Sequence, residues 1–535
     1  MKEYLVTASQ MKQYDRNTIA FHHMPSLLLM ERAALVTVEA LQKILGNEPG
    51  RVVVVSGCGN NGGDGLAVGR LLMLAGYSVE FVLLGEAEDC SEETKSQLEI
   101  LKSYGARIFG RIAEATYDMD IVIDAVFGVG LSRPVAGRYA QAVDWINEQE
   151  AFVCSIDIPS GIQADTGEIL GCAVQADLTV TYGFYKLGQM LYPGAGYCGH
   201  LVRGQIGIDE QSFLGSEPVW YTFHDIQQGL LPERVPDGNK GTFGKALVVA
   251  GSRQMGGAAM LAAKSTFSTG AGMVKVVTDT ANRDAVLQYA PEAMLLPYDS
   301  TVDETEGGQE QMQDFWKAFE EAVSWADCIM IGPGIGQDTM AKRLLAFCIE
   351  ESRLPLVIDA DGLNLLAVNK ALQACLVEQN GHGRDIVLTP HLGEFARLYG
   401  CETSECKTHL TQYPHLLAKR LCCTVICKDA RTVVAQAGSG KCYLNTTGNA
   451  GMAAAGSGDV LAGMVTGLVA QGMNGYQAAI TGVYLHGLAG DYAAEDGTKE
   501  AMTATDIIAH VKTAIRACRS EEQSHCLRKG TGFGR

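Results

Sequence analysis

Short runs rich in Val, Ile, Leu and Ala, each leading through a glycine-rich stretch into a helical pattern, recur along this chain. That alternation constrains the fold more than any other feature, because strands alternating with helices build βαβ units around a parallel sheet. In the first third, buried-strand patterns fall at residues 51–56, 79–84, 120–125 and 151–157, with a helix expected over 64–75. Thr7 followed by Gln10 matches a capping box at the start of an N-terminal helix. Between Gly215 and Gly244 the alternation gives way to a stretch with three prolines and several glycines, the expected domain boundary. It resumes at 245–250, 273–277, 326–331, 355–359, 385–388 and 423–428, so a second α/β domain follows. The polar, acidic segment 299–314 reads as a surface insertion and the tail from Arg519 as loose. The glycine loops of the two halves differ in spacing, and no internal repeat is visible.

Composition narrows the function. A length of 535 residues predicts two or three domains at roughly 100 to 200 residues each. The formal charge is −19, which argues against a nonspecific nucleic-acid or acidic-membrane binder, since either partner needs a cationic footprint. A small anionic ligand held by backbone N–H groups stays open. There is no uncharged apolar run of the roughly 18 residues a spanning helix needs, and MKEYLVTASQ lacks the basic and apolar blocks of a signal peptide. A cytoplasmic protein is expected. The 16 cysteines form no CxxC pairs and read as small buried hydrophobes kept reduced. The 62 glycines are an excess over an average usage of roughly 7%, so their positions carry information.

In the first half, Gly57-Cys58-Gly59-Asn60-Asn61-Gly62 lies between a strand and a helix and matches GxGxxG. The acidic residue that would bind a ribose at the end of the next strand is missing, because Glu80 is too early and Glu86 too late. The fuller run Asn60-Asn61-Gly62-Gly63-Asp64 suggests a different ligand site. Glycines admit a ligand to the backbone, the helix N-terminus faces a phosphate, and Asn61 and Asp64 supply oxygens. A merely structural tight turn is the competing reading. Two further loops follow strands, where ligands of open parallel sheets bind. One is Asp124 with Gly128-Val129-Gly130-Leu131-Ser132-Arg133-Pro134; the other is Ser155-Ile156-Asp157-Ile158-Pro159-Ser160-Gly161. Either aspartate alone can equally cap a helix or turn.

The strongest local signal in the second half is Asn449-Ala450-Gly451-Met452-Ala453-Ala454-Ala455-Gly456-Ser457-Gly458-Asp459 ahead of an apolar helix. Small residues there let N–H groups surround a transferring phosphate, and Asp459 is placed to accept a hydroxyl proton. This is not a P-loop: the nearest look-alike, Gly238 to Ala246, has the wrong spacing, lacks the hydroxyl after Lys245 and precedes a strand. Lys428, at a strand end, can neutralise phosphate charge. Asp359 and Asp361 can orient Mg²⁺ or water, or cap the following helix. His391 alone would be an ordinary core or loop histidine.

The three loops of the first half together resemble the NAD(P)H-hydrate epimerase domain, also called YjeF-N, over residues 1–216. The resemblance implies a potassium ion on Asn61, Asp124 and Ser160, all hard oxygen donors as an alkali cation requires. It places a hydrated nucleotide against Asn60, Asn61, Gly62, Gly63, Asp64, the loop from Gly128 to Pro134, and Asp157, with Asp157 as general base because epimerisation next to a nitrogen needs proton removal and return. GxGD at a late helix resembles the ribokinase-like fold. Gly251-Ser252 with Gly256 to Ala259, Gly332-Pro333-Gly334-Ile335-Gly336, Asp359 to Asn364, Thr389-Pro390-His391-Leu392-Gly393-Glu394, and Lys428-Asp429-Ala430 together resemble the NAD(P)H-hydrate dehydratase branch, YjeF-C, over 223–520. That implies Ala258, Gly334, Gly336, His391 and Asp459 on the hydrate, with Asp459 catalytic. It implies Lys428, Asp429, Ala430, Arg431, Thr432 and Gly458 on the adenine nucleotide. Asn239 stands where His is usual.

The architecture expected is therefore two three-layer αβα domains, an N-terminal Rossmann-like one and a C-terminal ribokinase-like one. The activity expected is repair of hydrated NADH and NADPH: epimer exchange, then dehydration of the S form with Mg²⁺ and ADP, the donor usual in fused prokaryotic forms. The residues do not separate ADP from ATP. Partners expected are these small molecules and other copies of the chain in a homo-oligomer, with no nucleic acid and no membrane. A ribokinase-like small-molecule kinase with an N-terminal binding domain is the competing enzyme. A first domain acting as an interaction module, as similar domains do in mRNA-decapping scaffolds, is the non-enzymatic alternative.

Overall fold

The computed structural model describes residues 2–115, 118–223, 229–302, 308–381 and 383–530. Its chain divides into two compact units, one spanning Glu3–Tyr221 and the other Thr222–Arg535.

In the first unit, Val52 to Val55 are all buried, as a strand covered on both faces requires. Their side chains alternate between two cores, Val52 and Val54 on one side and Val53 and Val55 on the other. Around this strand, Arg51–Ser56, a seven-stranded sheet runs from edge to edge as Arg107–Phe109, Ser78–Leu83, Arg51–Ser56, Ile121–Ala125, Phe152–Ile156, Leu178–Tyr182 and His200–Gly204. All neighbours pair in parallel. The sequence order therefore reverses between Arg51–Ser56 and Ile121–Ala125, and a crevice opens at the carboxyl ends of strands that diverge in this way. A separate short parallel pair sets Leu5 beside Tyr185 and Val6 beside Lys186.

The second unit repeats the plan. Its sheet runs Met294–Tyr298, Met273–Asp279, Lys245–Val249, Cys328–Ile331, Leu356–Ile358, Ile386–Leu388, Thr424–Cys427, Val433–Gln436 and Cys442–Leu444. The first seven pair in parallel and the last two are antiparallel hairpin strands. Here the reversal falls between Lys245–Val249 and Cys328–Ile331. Helices Gly256–Ser268, Ser457–Ala470 and Gly475–Asp496 present many small buried residues, which bring backbones close. A Cβ at Gly463 would lie 2.5 Å from the Ala262 carbonyl oxygen.

Every strand run expected from sequence is present, with ends moved by one or two residues. The capping box is present too: Gln10 N–H donates to Thr7 Oγ1 at 3.2 Å, and Thr7 N–H to Gln10 Oε1 at 3.0 Å. The helix expected over 64–75 is Asn60–Leu74. Its first turn carries two glycines of low helix propensity, held because a side chain at Gly62 would strike the Gly57 carbonyl oxygen at 1.9 Å. Of the tail from Arg519, residues to Gly530 continue the helix Ala504–Gly530, and 531–535 lie outside the described residues. In the acidic segment, 309–314 open the helix Gln309–Trp325, while 303–307 lie outside the described residues.

Candidate active sites

In the first unit a cavity of about 620 Å³ sits at the strand reversal. Asn60, Asn61 and Asp64 line it from the first helix after a strand, Gly128 to Arg133 from the second loop, and Asp157 from the third. The chain can turn so tightly after Arg51–Ser56 only because Gly57 has no side chain: a Cβ there would sit 2.2 Å from the Val126 carbonyl oxygen. Gly62, Gly63 and Pro134 do not line the cavity; both glycines are buried within the helix and Pro134 faces outward.

Asp124 and Ser160 are fully buried and do not line this cavity, although Val126 and Phe127, whose N–H groups bond to them, do. Asp124 accepts hydrogen bonds from Ser155 Oγ at 2.7 Å, Ser160 N at 2.9 Å, Ser160 Oγ at 2.5 Å and Val126 N at 3.3 Å. Burial raises its carboxyl, and these bonds oppose the rise. The Phe127 N–H donates to Ser160 Oγ at 2.8 Å, and Asn61 Oδ1 would lie 2.9 Å from a Cβ at Gly128. Asn61 Nδ2 is buried without a hydrogen-bond partner. A buried carboxylate with no cationic side chain paired to it among the described residues, flanked by hydroxyl, carbonyl and amide oxygens, has the chemistry an alkali cation needs. Potassium fits the residues present.

Asp157 follows the strand Phe152–Ile156 with a φ of 64°, a left-handed backbone that costs a non-glycine residue energy and aims its carboxylate. Its Oδ1 accepts from Tyr182 N at 3.1 Å and Thr181 Oγ1 at 3.3 Å, and forms an ion pair with Lys186 Nζ. Lys186 is wholly buried and also donates to Thr181 Oγ1 at 2.8 Å and the Tyr182 carbonyl at 3.1 Å. Burial pulls its ammonium below the ordinary lysine range, with Asp157 resisting. Gln189 Nε2 holds the Asp157 carbonyl at 2.6 Å. Sequence reasoning missed Lys186. Its one signal was a lysine within the apolar run 184–187, where an uncompensated charge would be costly.

In the second unit the sites named from sequence converge. Lys428 Nζ donates to Asp359 Oδ1 at 2.8 Å, and Asp359 is fully buried. A Cβ at Gly458 would lie 3.2 Å from Lys428 Nζ. Asp459, in the first turn of Ser457–Ala470, has its carboxyl pushed up to about 7, by burial first and then by the charge of Asp359, against the pull of Lys428. Burial would lower the Lys428 ammonium, yet Asp359 and Glu394 outweigh it and hold the group above the usual range. Gly336 N donates to Asp361 Oδ2 at 3.0 Å, and a Cβ at Gly334 would meet Ala258 Cβ at 2.8 Å. Gly332 must be glycine, because its φ of 130° and a Cβ 1.8 Å from the Asp359 carbonyl oxygen exclude a side chain.

His391 serves two purposes. Its Nδ1 accepts from Gly393 N at 3.0 Å and Glu394 N at 3.3 Å, capping Leu392–Tyr399, while the side chain stays 55% exposed and reachable by a ligand. It sits beside Lys428 through a parallel bridge. Asp429 to Thr432 form the hairpin loop after Lys428, tied by Thr432 Oγ1 to the Asp429 carbonyl at 3.2 Å and by Arg431 to the Thr446 carbonyl at 2.9 Å. Asn239 holds a local turn, accepting from Gly241 N at 2.8 Å. Sequence reasoning also missed His486 and Asp491. His486 Nε2 lies 3.4 Å from Ser457 Oγ, and burial lowers its imidazole to about 4. Asp491 accepts from Gly448 N at 2.8 Å and Asn449 Nδ2 at 3.0 Å, fixing the start of the glycine loop.

A family model described as YjeF-related protein N-terminus matches residues 26–188, and one described as NAD(P)H-hydrate dehydratase matches 246–513. A bifunctional NAD(P)H-hydrate repair enzyme from Moorella thermoacetica is 34% identical, covering 97% of this chain and 98% of that protein. One from Thermofilum pendens is 35% identical, covering 96% and 97%. Among solved structures, an ADP/ATP-dependent NAD(P)H-hydrate dehydratase from Bacillus subtilis is 26% identical with a TM-score of 0.44, covering 55% of this chain and 99% of that one. Matched along nearly its whole length and in both of its units, this chain belongs to the family of bifunctional NAD(P)H-hydrate repair enzymes.

Proposed function

We propose that residues 1–216 exchange the R and S epimers of hydrated NADH and NADPH and that residues 223–520 dehydrate the S form, with ADP as phosphoryl donor and AMP and phosphate as by-products. In the first unit the nucleotide lies along Asn60, Asn61, Asp64 and Gly128 to Arg133, and Asp157 is the general base, its carboxylate aimed by Lys186 and the Tyr182 N–H. Asn61, Asp124 and Ser160 would hold potassium, which supplies a fixed positive charge beside the cavity.

In the second unit Ala258, Gly334, Gly336 and His391 bind the hydrate, and Lys428 to Thr432 with Gly458 bind the adenine nucleotide. Asp459 takes the proton of the hydrate hydroxyl as its oxygen attacks the terminal phosphorus of ADP. Lys428 and the N–H groups of Gly456 to Gly458 take up charge on the transferring phosphoryl group. Phosphate then leaves together with a ring proton, restoring the reduced nicotinamide. Asp359 and Asp361 would hold Mg²⁺, which screens phosphate charge. The observation that carries the reading is Asp459 at a helix N-terminus, raised to about 7, where a base can be both ionised and able to accept a proton at neutral pH.

Mixing the protein with hydrated NADPH, Mg²⁺ and ADP, and in parallel with ATP, tests it. Recovery of the absorbance of the reduced nicotinamide with release of free phosphate is expected, larger with ADP. A stable phosphorylated product without that recovery would identify a kinase instead. A cytoplasmic place belongs to the same reading, supported by cysteines that are all free among the described residues. So does a homo-oligomer, supported by the exposed apolar side chains of Phe21, Leu27, Leu28 and Leu35.

A further inference from the structure

We infer that Asp64 is the proton donor of epimer exchange, working across the cavity from the base Asp157. The inference rests on the epimerase reading of the first unit.

Four carboxyls line this cavity: Asp15, Asp64, Asp157 and Glu93, the last accepting from Ser26 Oγ at 2.8 Å. Among the described residues, only Asp157 of these has a cationic partner, Lys186. Asp64 projects from the second turn of Asn60–Leu74 and, among the described residues, makes no hydrogen bond or ion pair within the protein, so its carboxyl is free to meet a ligand. The charges that act on it are Asp157 from the third loop, Asp15 from Ala8–Phe21 and Lys186 from its short strand, with the Tyr182 phenol also near; Lys12, Glu93 and Arg133 complete the charged lining of the cavity. Burial first, then Asp157 and Asp15, hold Asp64 well above the usual carboxylate range, and Lys186 opposes them. Asp15 is raised as well, by burial and then Glu93, but Arg16 beside it pulls the other way. Two carboxyls whose surroundings divide them into a protonated and an ion-paired member mark an acid and a base.

The chemistry requires one of each. Water added beside the ring nitrogen leaves a hydroxyl and that nitrogen on one carbon, and this carbon inverts when one of those bonds opens and re-forms. Asp157 takes the hydroxyl proton, and the O–H electron pair becomes the second bond of a carbonyl. The C–N bond breaks, its pair goes to nitrogen, and nitrogen takes the proton from Asp64. Rotation about the adjoining C–C bond turns the other carbonyl face to nitrogen. Closure returns the N–H proton to Asp64, and the proton on Asp157 goes to the new hydroxyl. Nothing is oxidised or consumed, and both carboxyls finish as they began.

The test follows epimer exchange in the full-length protein by chromatography across pH, comparing wild type with Asp64→Asn, Asp64→Glu and Asp157→Asn. Asn matches Asp in shape but has no proton to give. Wild-type kcat should fall on the alkaline side as Asp64 loses its proton. Asp64→Asn should lower kcat about 100-fold or more with a far smaller change in KM, as loss of a general acid does, and its residual rate should lack the alkaline limb. Asp64→Glu should restore part of the rate. An Asp64→Asn protein that keeps kcat and the alkaline limb, or loses only KM, overturns the inference, as does a wild type without that limb. If Asp157→Asn abolishes exchange while Asp64→Asn does not, this inference fails and the site stands. If neither matters, the epimerase site itself is misplaced. Should Asp64→Asn fail to fold by circular dichroism, the wild-type profile and Asp64→Glu decide alone.

Discussion

Asp459 is placed where its ionised form is disfavoured, and that has consequences of opposite sign for stability and for rate. Its folded carboxyl is pushed up to about 7, well above the ordinary carboxylate range, so the folded state binds this proton more tightly than the unfolded chain does. Stability from this group is therefore present below the unfolded value and declines as pH rises towards 7. The rate moves the other way, because a base must be ionised: dehydration should fall as pH drops below about 7 and level off above it. Asp459→Asn should abolish dehydration while raising the melting temperature at pH 8, checked by absorbance recovery and by calorimetry; a melting temperature below wild type at pH 8 would contradict the proposed electrostatics. At this scale the sequence was informative where one motif held the residue. Asp157, His391, Lys428 and Asp459, whose roles are proposed above, were each singled out by one motif. Lys186 was not, because its role depends on an ion pair 29 positions away in the chain, and no local pattern records such a contact.

Among elements, the helix Gly475–Asp496 supports a loop it does not belong to. Thr447 Oγ1 donates to the Tyr484 carbonyl at 3.0 Å, Asn449 Nδ2 to the Gly490 carbonyl at 2.9 Å, and Asp491 takes the two bonds already described. These contacts recur at helical spacing along one face, and side chains at Gly487 or Gly490 would strike Thr447 and Met452. The start of the loop that leads to Gly456 to Asp459 is thus held by this helix. Asp491→Ala should lower dehydration kcat about tenfold or more, because slight misplacement of an aligned group is enough, and should leave epimer exchange unchanged. An unchanged dehydration rate in this variant would show that this support has no bearing on catalysis. The strands were legible because full burial on both sheet faces leaves continuous apolar runs. The platform was not, since small residues in a helix advertise close packing without saying against what.

For the whole molecule, every residue proposed for exchange lies within Glu3–Tyr221 and every one proposed for dehydration within Thr222–Arg535, so each activity should be removable without the other. Alternating strands and helices with a break near 215–244 made two α/β units legible, and the structure divides the chain at Tyr221. The glycine excess that drew attention to the loops is now seen at both strand reversals, where Gly57 and Gly332 let neighbouring backbones close together. Asp157→Asn should therefore convert a mixture of hydrate epimers in two phases. The first, fast phase should have an amplitude equal to the S fraction, because dehydration is intact. The second should proceed only as fast as uncatalysed epimerisation supplies S hydrate. Adding Asp459→Asn, which lacks dehydration but keeps exchange, should merge the phases without any contact between the two proteins, since the substrate diffuses from one to the other. Recovery of the whole mixture in a single fast phase by Asp157→Asn alone would mean either that dehydration accepts both epimers or that exchange does not depend on Asp157. Following purified R hydrate by chromatography with the double variant Asp157→Asn/Asp459→Asn separates these outcomes, because with dehydration removed S hydrate appears only if exchange does not depend on Asp157.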